Sequence, residues 1–243
     1  AEAPWFSLNK ETAEHLRATG PFVAIWMVVF ALPLVLLTPD EGVQSISWSE
    51  SISRGLRTLL NTILNLKSYK IAGWFLLARM IYTDGLNTLF AFGGIYAVGT
   101  FGMSFSELIL FGIAMNVTAG IGAFGFAWAD DKLGAKWVIT VAVGALVLLG
   151  ATVLVIESKA LFWVFGVPLG FFVGPAQSAS RSMMARLAPE DMRTEFFGLY
   201  ALSGKATAFL GPAMVALFTD IFQNQRAGMA TIVVFFVVGL LLM

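Results

Sequence analysis

Residues 78–102 read ARMIYTDGLNTLFAFGGIYAVGTFG. This stretch is apolar enough to lie in a bilayer, yet Asp84 and Asn87 stand near its middle. Side chains three or four positions apart share one face of a helix, so we predict that Asp84, Asn87 and Thr88 share a stripe. An ionisable group at that depth is costly unless it faces protein, water or a counter-charge. The stretch therefore predicts a membrane helix with a functional carboxylate.

The composition indicates an integral membrane protein. Hydrophobic residues make up 58% of the chain, charged residues make up 12%, and the mean hydropathy is +0.82. A soluble domain of this composition would have too little polar surface to cover itself. The formal net charge is zero and cysteine is absent, so we expect no nucleic-acid partner, no disulfide and no thiolate metal site. We also expect no cofactor, because the sequence has no phosphate-binding Gly-Lys motif and no metal-spaced His or Glu cluster.

Seven apolar runs are each close to or above the roughly 20 residues that cross a hydrocarbon core. They are 20–39, 71–99, 105–129, 135–156, 160–187, 195–219 and 226–243. We predict an all-α membrane protein with seven transmembrane helices, in which the last six form two triplets of opposite orientation, as in an inverted 3+3 repeat. The predicted domains are an external segment with the first helix (1–39), a cytoplasmic linker (40–70) and a six-helix half (71–243).

The linker and its flanking charges set the predicted orientation. Apolar residues recur at helical spacing between Ile52 and Leu66, which favours an amphipathic helix on the membrane surface. A solvated loop that becomes helical only in its second half is the alternative. If the linker lies on the cytoplasmic side of the membrane, that side contains eight Lys and Arg residues and the external side contains four. This bias predicts a cytoplasmic linker and an external N-terminus.

Polar residues recur at a similar depth in several predicted helices. The ionisable residues at depth are Arg79, Asp84, Arg181 and Lys205, and Asn116 and Gln177 lie at a comparable level. Small residues accompany each of them, which allows either close helix packing with a buried Asp84–Lys205 ion pair or a polar cavity. Pro168, Pro175 and Pro212 predict local helix breaks beside these groups. Both the packing and the cavity hypotheses remain open at this point.

Three segments resemble a known family. Residues 131–136 (DKLGAK) resemble the cytoplasmic loop of the major facilitator superfamily. Residues 82–102, 174–191 (GPAQSASRSMMARLAPED) and 195–212 (EFFGLYALSGKATAFLGP) are similar to a bacterial branch related to the autophagy-linked vacuolar amino-acid effluxers. The resemblance implies helix six and helices seven to twelve of a twelve-helix transporter. It also implies a partner, the N-terminal helical half of the same transporter, and the bacterial inner membrane as location.

The sequence and the resemblance together predict a secondary transporter that moves a small polar solute, amino acids being the class that the resemblance implies. We expect Asp84 to couple ions or gate the path, pairing with Lys205 or Arg181 in one state and taking a proton in another. The residues expected to bind the solute or ions are Asp84, Asn87, Asn116, Gln177, Ser178, Arg181 and Lys205. The expected cytoplasmic gate loop contains Asp131, Lys132, Gly134 and Lys136. A structural or sensory subunit and an intramembrane enzyme remain as alternatives.

Overall fold

The structure is a computed structural model that describes residues 14–38, 47–64 and 69–243. In these ranges the chain forms helices joined by short turns, without a strand. It divides into two compact units, Ala1–Ile52 and Ser53–Met243. The first part of the predicted external segment and residues 39–46 and 65–68 of the predicted linker lie outside the described ranges.

The helices follow the predicted apolar runs. They are α1 (Glu14–Arg17), α2 (Thr19–Leu37), α3 (Trp48–Leu64), α4 (Lys70–Phe101), α5 (Phe105–Leu133), α6 (Ala135–Val155), α7 (Lys159–Leu187), α8 (Arg193–Ser203), α9 (Leu210–Phe222) and α10 (Gln225–Leu241). Four of the described helices, α2, α5, α6 and α7, are long and apolar enough to cross a membrane. The all-α membrane class is confirmed, and α3 confirms a helix in the linker that begins well before its second half.

Helices α5 and α7 pack through glycine. A β-carbon added at Gly122 would collide with the backbone carbonyl of Phe171, and one added at Gly174 would collide with that of Ala119. Small residues of this kind let helix backbones approach each other in a membrane. Ion pairs join the same two helices at both ends, Lys159 to Glu107 at 3.0 Å and Arg186 to Asp130 at 3.2 Å.

Helix α7 continues through both of its prolines, so the breaks predicted at Pro168 and Pro175 are absent. Proline lacks an N–H, and the carbonyl four residues earlier therefore loses its helical donor. For Pro175 that carbonyl belongs to Phe171, which faces Gly122 of α5. Close packing against α5 can stabilise this carbonyl oxygen through weak C–H···O contacts. Contacts with neighbouring helices are one way in which membrane helices tolerate proline.

The predicted span 195–219 is a broken helix instead of a continuous one. Helix α8 ends at Ser203, residues 204–209 form turns, and α9 begins at Leu210. Pro212 occupies the first turn of α9, where its missing N–H costs nothing, while its ring disfavours continuous helix through Ala208. The local break predicted beside Pro212 is therefore confirmed, whereas the interpretation of residues 195–219 as one continuous helix is wrong.

Candidate functional site

A cleft of about 280 Å³ opens between α4, α7 and the break that separates α8 from α9. Its polar lining consists of Arg79, Tyr82, Thr83, Asn87, Gln177, Ser180, Arg181, Tyr200 and Lys205. Asn87, Gln177, Arg181 and Lys205 all expose their side chains. The structure therefore brings together four of the seven residues that the sequence singled out for solute or ion binding.

Arg79 is fixed against the C-terminal end of α8. Its Nη1 donates to the carbonyl of Tyr200 at 2.6 Å and to Oγ of Ser203 at 2.7 Å. Its guanidinium also lies over the Tyr200 ring, 3.5 Å from the ring centroid. A cation at a helix C-terminus meets the negative end of the helix dipole and the last free carbonyls. Arg79 thus stabilises the point where α8 stops.

Asp84 lies apart from the cleft. Its side chain is buried, and Oδ2 accepts a hydrogen bond from the backbone N–H of Gly211 at 3.2 Å. Oδ1 has no hydrogen-bond partner among the described residues, and the residue borders an apolar pocket of about 490 Å³ between α4, α9 and α10. No ion pair in the described ranges joins Asp84 to Lys205 or Arg181. The pairing expected from the sequence is absent from this conformation.

Three polar residues of α4 therefore hold the two ends of the break. Arg79 binds the end of α8, and Asn87 donates from Nδ2 to the carbonyl of Gly204 at 3.4 Å. Asp84 accepts from the second residue of α9, where a carboxylate is favoured by the positive end of the helix dipole. The charges of Arg79 and Asp84 each match the helix end that they meet. Lys205 occupies the turn between these two ends and lines the cleft.

Asn116 and Ser178 are the other predicted site residues that do not reach this cleft. Asn116 donates from Nδ2 to the carbonyl of Gly112 on its own helix, at 2.8 Å, and lines a different cavity of about 280 Å³. Ser178 is exposed, and its hydroxyl donates to the carbonyl of Pro175 at 3.4 Å. Gln177 lines the cleft but its neighbour Ser178 does not, so a similar depth does not by itself bring a side chain to the site.

Sequence reasoning missed several residues of the cleft. Tyr82 and Ser180 are buried, and their hydroxyl oxygens lie 2.6 Å apart. Since Ser180 donates its proton to the carbonyl of Ala176, Tyr82 is the donor of this second bond. Arg79 was recognisable by its depth, but nothing local in the sequence indicated that Tyr200 would lie beneath its guanidinium. Aromatic and hydroxyl side chains are too common in membrane helices to indicate a site by themselves.

The predicted gate loop is mostly helical. Helix α5 extends to Leu133, so Gly134, with a positive φ of 90°, alone separates it from α6. Asp131 lies 3.9 Å from Arg186 of α7, and Lys132 stacks 4.6 Å above the ring of Trp128. Lys136 lies in the first turn of α6. The pairing of these charges across a closed gate stays a prediction.

Removing the Arg79 contacts should loosen the end of α8. We expect Arg79→Met to weaken the fold by about 2 kcal/mol, the range for hydrogen bonds from a charged donor. Hydrogen exchange of residues 200–211 should become faster, because their partners lie on α4. Arg193→Met is the matched control, since Arg193 is exposed and pairs only with Glu190 at 3.5 Å among described residues. Equal exchange in the two variants would contradict this role of Arg79.

Comparison with known proteins identifies one family and several relatives of this chain. A family model described as "Vacuole effluxer Atg22 like" matches residues 5–243. The MFS-type transporter YxiO of Bacillus subtilis is 22% identical over 220 residues, which cover 90% of this chain and 51% of that protein. Autophagy-related protein 22 of Yarrowia lipolytica is 26% identical over 263 residues, which cover 96% and 45%. That of Saccharomyces cerevisiae is 22% identical over 252 residues, which cover 90% and 48%. The chain spans about half the length of these curated relatives.

Proposed function

Since the chain belongs to the family of proteins like the vacuole effluxer Atg22, we propose that it forms one half of a secondary transporter. This transporter moves a small polar solute across a membrane by alternating access. Amino acids are the solute class that the resemblance to the autophagy-linked effluxers implies. The bacterial inner membrane is the proposed location, and protons are the proposed coupling ion.

The proposed topology has seven crossings. Four are the helices α2, α5, α6 and α7, which have the required length and composition. Helix α4 is the fifth, and its polar residues are engaged by the broken helix instead of by lipid. Helices α8 and α9 together make one crossing, and α10 completes the set. The last six crossings would form the inverted 3+3 repeat, and the gate loop would close on the cytoplasmic side.

The observation that best supports transport is the cleft itself. Arg181 and Lys205 expose their side chains in it, and neither takes part in an ion pair within the described ranges. Charged groups at membrane depth are costly, so they are kept where they face a cavity or a counter-charge. Transporters place such sites beside discontinuous helices, and here the cleft borders the break between α8 and α9.

The remaining half of the transporter is proposed to supply the opposite wall of this cleft. The relatives that this chain matches are about twice as long as the matched region. In an alternating-access carrier the solute binds between two halves that rock against each other. Asn87, Gln177, Arg181 and Lys205 would then form one side of the path.

The two alternatives account less well for these residues. A structural or sensory subunit should pair its intramembrane charges with each other, which Arg181 and Lys205 do not do in the described part of the chain. An intramembrane enzyme needs a nucleophile that is free to react. Ser203, the hydroxyl next to the break, accepts a bond from Arg79 and donates to the carbonyl of Tyr200.

The test is a flux measurement on the full-length protein. Candidate solutes are first ranked by thermal shift in detergent, because a bound ligand stabilises the folded state by mass action. The solutes that raise the unfolding temperature are then loaded into proteoliposomes, and their release is followed with and without a pH gradient. We expect at least one stabilising solute to be released faster than from protein-free vesicles. Stabilisation without flux for every solute would contradict the transporter assignment.

A further inference from the structure

The cleft carries an uncompensated positive charge. Arg79, Arg181 and Lys205 line it, and no Asp or Glu is among its lining residues in the described ranges. Like charges that share a cavity of low dielectric repel each other more strongly than in water. Water in the cleft reduces this repulsion, and an anion that binds between the cations reduces it further.

The three cations are not equivalent. Arg79 already donates hydrogen bonds from Nη1 to the Tyr200 carbonyl and to Ser203, so it has a structural role. The side chains of Arg181 and Lys205 make no hydrogen bond or ion pair within the described ranges. They come from different elements, Arg181 from α7 and Lys205 from the turns between α8 and α9. Both are therefore available to a ligand, and each approaches it from a different part of the fold.

We infer that the cleft binds the carboxylate of a small organic solute through Arg181 and Lys205, an inference that rests on the proposed transport function. The planar guanidinium of Arg181 matches the two oxygens of a carboxylate, and Lys205 adds a second positive charge. Asn87 and Gln177 line the same cleft and provide neutral donors and acceptors for the rest of the solute.

On this half of the proposed transporter, the cleft has room for a small solute. At about 280 Å³ it is slightly smaller than the roughly 300–1,000 Å³ of sites that hold drug-sized ligands. A small mono- or dicarboxylate or an amino acid fits this space. The solute is selected by its anionic end, and a neutral solute of the same size leaves two cations without a partner.

Lys205 also links binding to the break in the helix. The residue lies in turns, with backbone bonds from its N–H to the carbonyl of Leu202 at 2.9 Å and from Ala208 to its own carbonyl at 3.2 Å. A carboxylate held by Lys205 and Arg181 therefore connects these turns to α7. Binding should slow hydrogen exchange in residues 204–209, because the turns acquire a partner that the empty cleft lacks.

The test uses matched acid and amide pairs with the full-length protein in detergent. The probes are succinate and succinamide, L-alanine and L-alaninamide, and sodium sulfate, and affinity is measured by calorimetry or thermal shift. We expect at least one carboxylate to bind roughly tenfold or more tightly than its amide, as the loss of a charge-assisted hydrogen bond predicts. Equal affinity for acid and amide in both pairs overturns the inference. So does sulfate binding as tight as the best carboxylate, which would indicate a general anion site.

Variants then locate the site. Arg181→Gln and Lys205→Gln should each weaken carboxylate binding by roughly tenfold or more, whereas Lys205→Arg keeps the charge and should retain most of it. Arg193→Gln is the matched control, because it removes an exposed arginine that does not line the cleft. If Arg181→Gln fails to fold, the Lys205→Gln and Lys205→Arg pair decides. Unchanged carboxylate affinity in Lys205→Gln overturns the assignment.

The two proposals fail in different ways. Flux that is equally fast for a carboxylate and its amide supports the transport proposal and contradicts the carboxylate site. Carboxylate binding that depends on Lys205, without flux of any bound solute, supports the carboxylate site and contradicts the transport proposal.

Discussion

Gly122→Ala should lower the stability of the folded protein by about 1–3 kcal/mol, although it adds a single methyl group. A β-carbon at this position would overlap the backbone carbonyl of Phe171, and backbone cannot move aside as the end of a flexible side chain can. The same carbonyl is already deprived of its helical donor by Pro175, so separating the helices would leave it unsatisfied as well. The measurement is the temperature at which half of the detergent-solubilised full-length protein loses its monodisperse size-exclusion peak.

Gly120 provides a control on the same helix, two residues earlier. An added β-carbon there meets nothing within 4 Å, so Gly120→Ala should be neutral or stabilise the helix by up to about 1 kcal/mol. Gly174→Ala, whose β-carbon would meet the backbone of Ala119, should behave like Gly122→Ala. Similar unfolding temperatures for Gly120→Ala and Gly122→Ala would show that α5 and α7 are not in backbone contact.

If the proposed proton-coupled transport is correct, Asp84→Asn should abolish the effect of a pH gradient on flux in the full-length protein. An amide cannot take up and release a proton, whereas a buried carboxylate with a free oxygen can do so as its surroundings change between two states. Asparagine retains an oxygen that accepts from the N–H of Gly211, so we expect the fold to survive. Uptake into proteoliposomes, measured with and without an imposed gradient, shows whether coupling is lost.

Two further variants separate coupling from folding. Asp84→Ala removes the acceptor for the Gly211 N–H and should destabilise the protein by about 1–3 kcal/mol more than Asp84→Asn does. Asp220→Asn neutralises an exposed carboxylate near the end of α9 and should leave both stability and coupling unchanged. If the pH gradient still affects flux in Asp84→Asn, then Asp84 is not the coupling residue, and its role is the hydrogen bond with Gly211 of α9.

The sequence predicted the helices well because long apolar runs have few alternatives in a bilayer. It predicted a local break beside Pro212, but it did not predict that six residues between Ser203 and Leu210 leave the helix, because residues 195–219 look continuous by composition. What stabilises the break is Arg79, Asn87 and Asp84, which lie more than 115 residues earlier in the chain. Pro212 was a local signal, but equally visible prolines in α7 cause no break.

The sequence predicted some residues of the candidate cleft and misplaced others. Depth along a helix can be counted from the sequence, and it grouped Gln177, Arg181 and Lys205, which line one cleft, with Asp84 and Asn116, which border other cavities. The direction in which a side chain points depends on how neighbouring helices are rotated, which depth does not specify. Asp84 has the right depth, but it turns toward Gly211, where a carboxylate is favoured by the start of α9.

The one-residue connection at Gly134 constrains how this half can change shape. Helix α6 must follow any displacement of α5, and α7 is fastened to α5 by ion pairs near both ends and by backbone contact between them. These three helices form a stiff block that resists internal sliding. If the protein rocks between two states, the bending has to be absorbed by α4 and by the turns beside Lys205, the same turns that border the cleft.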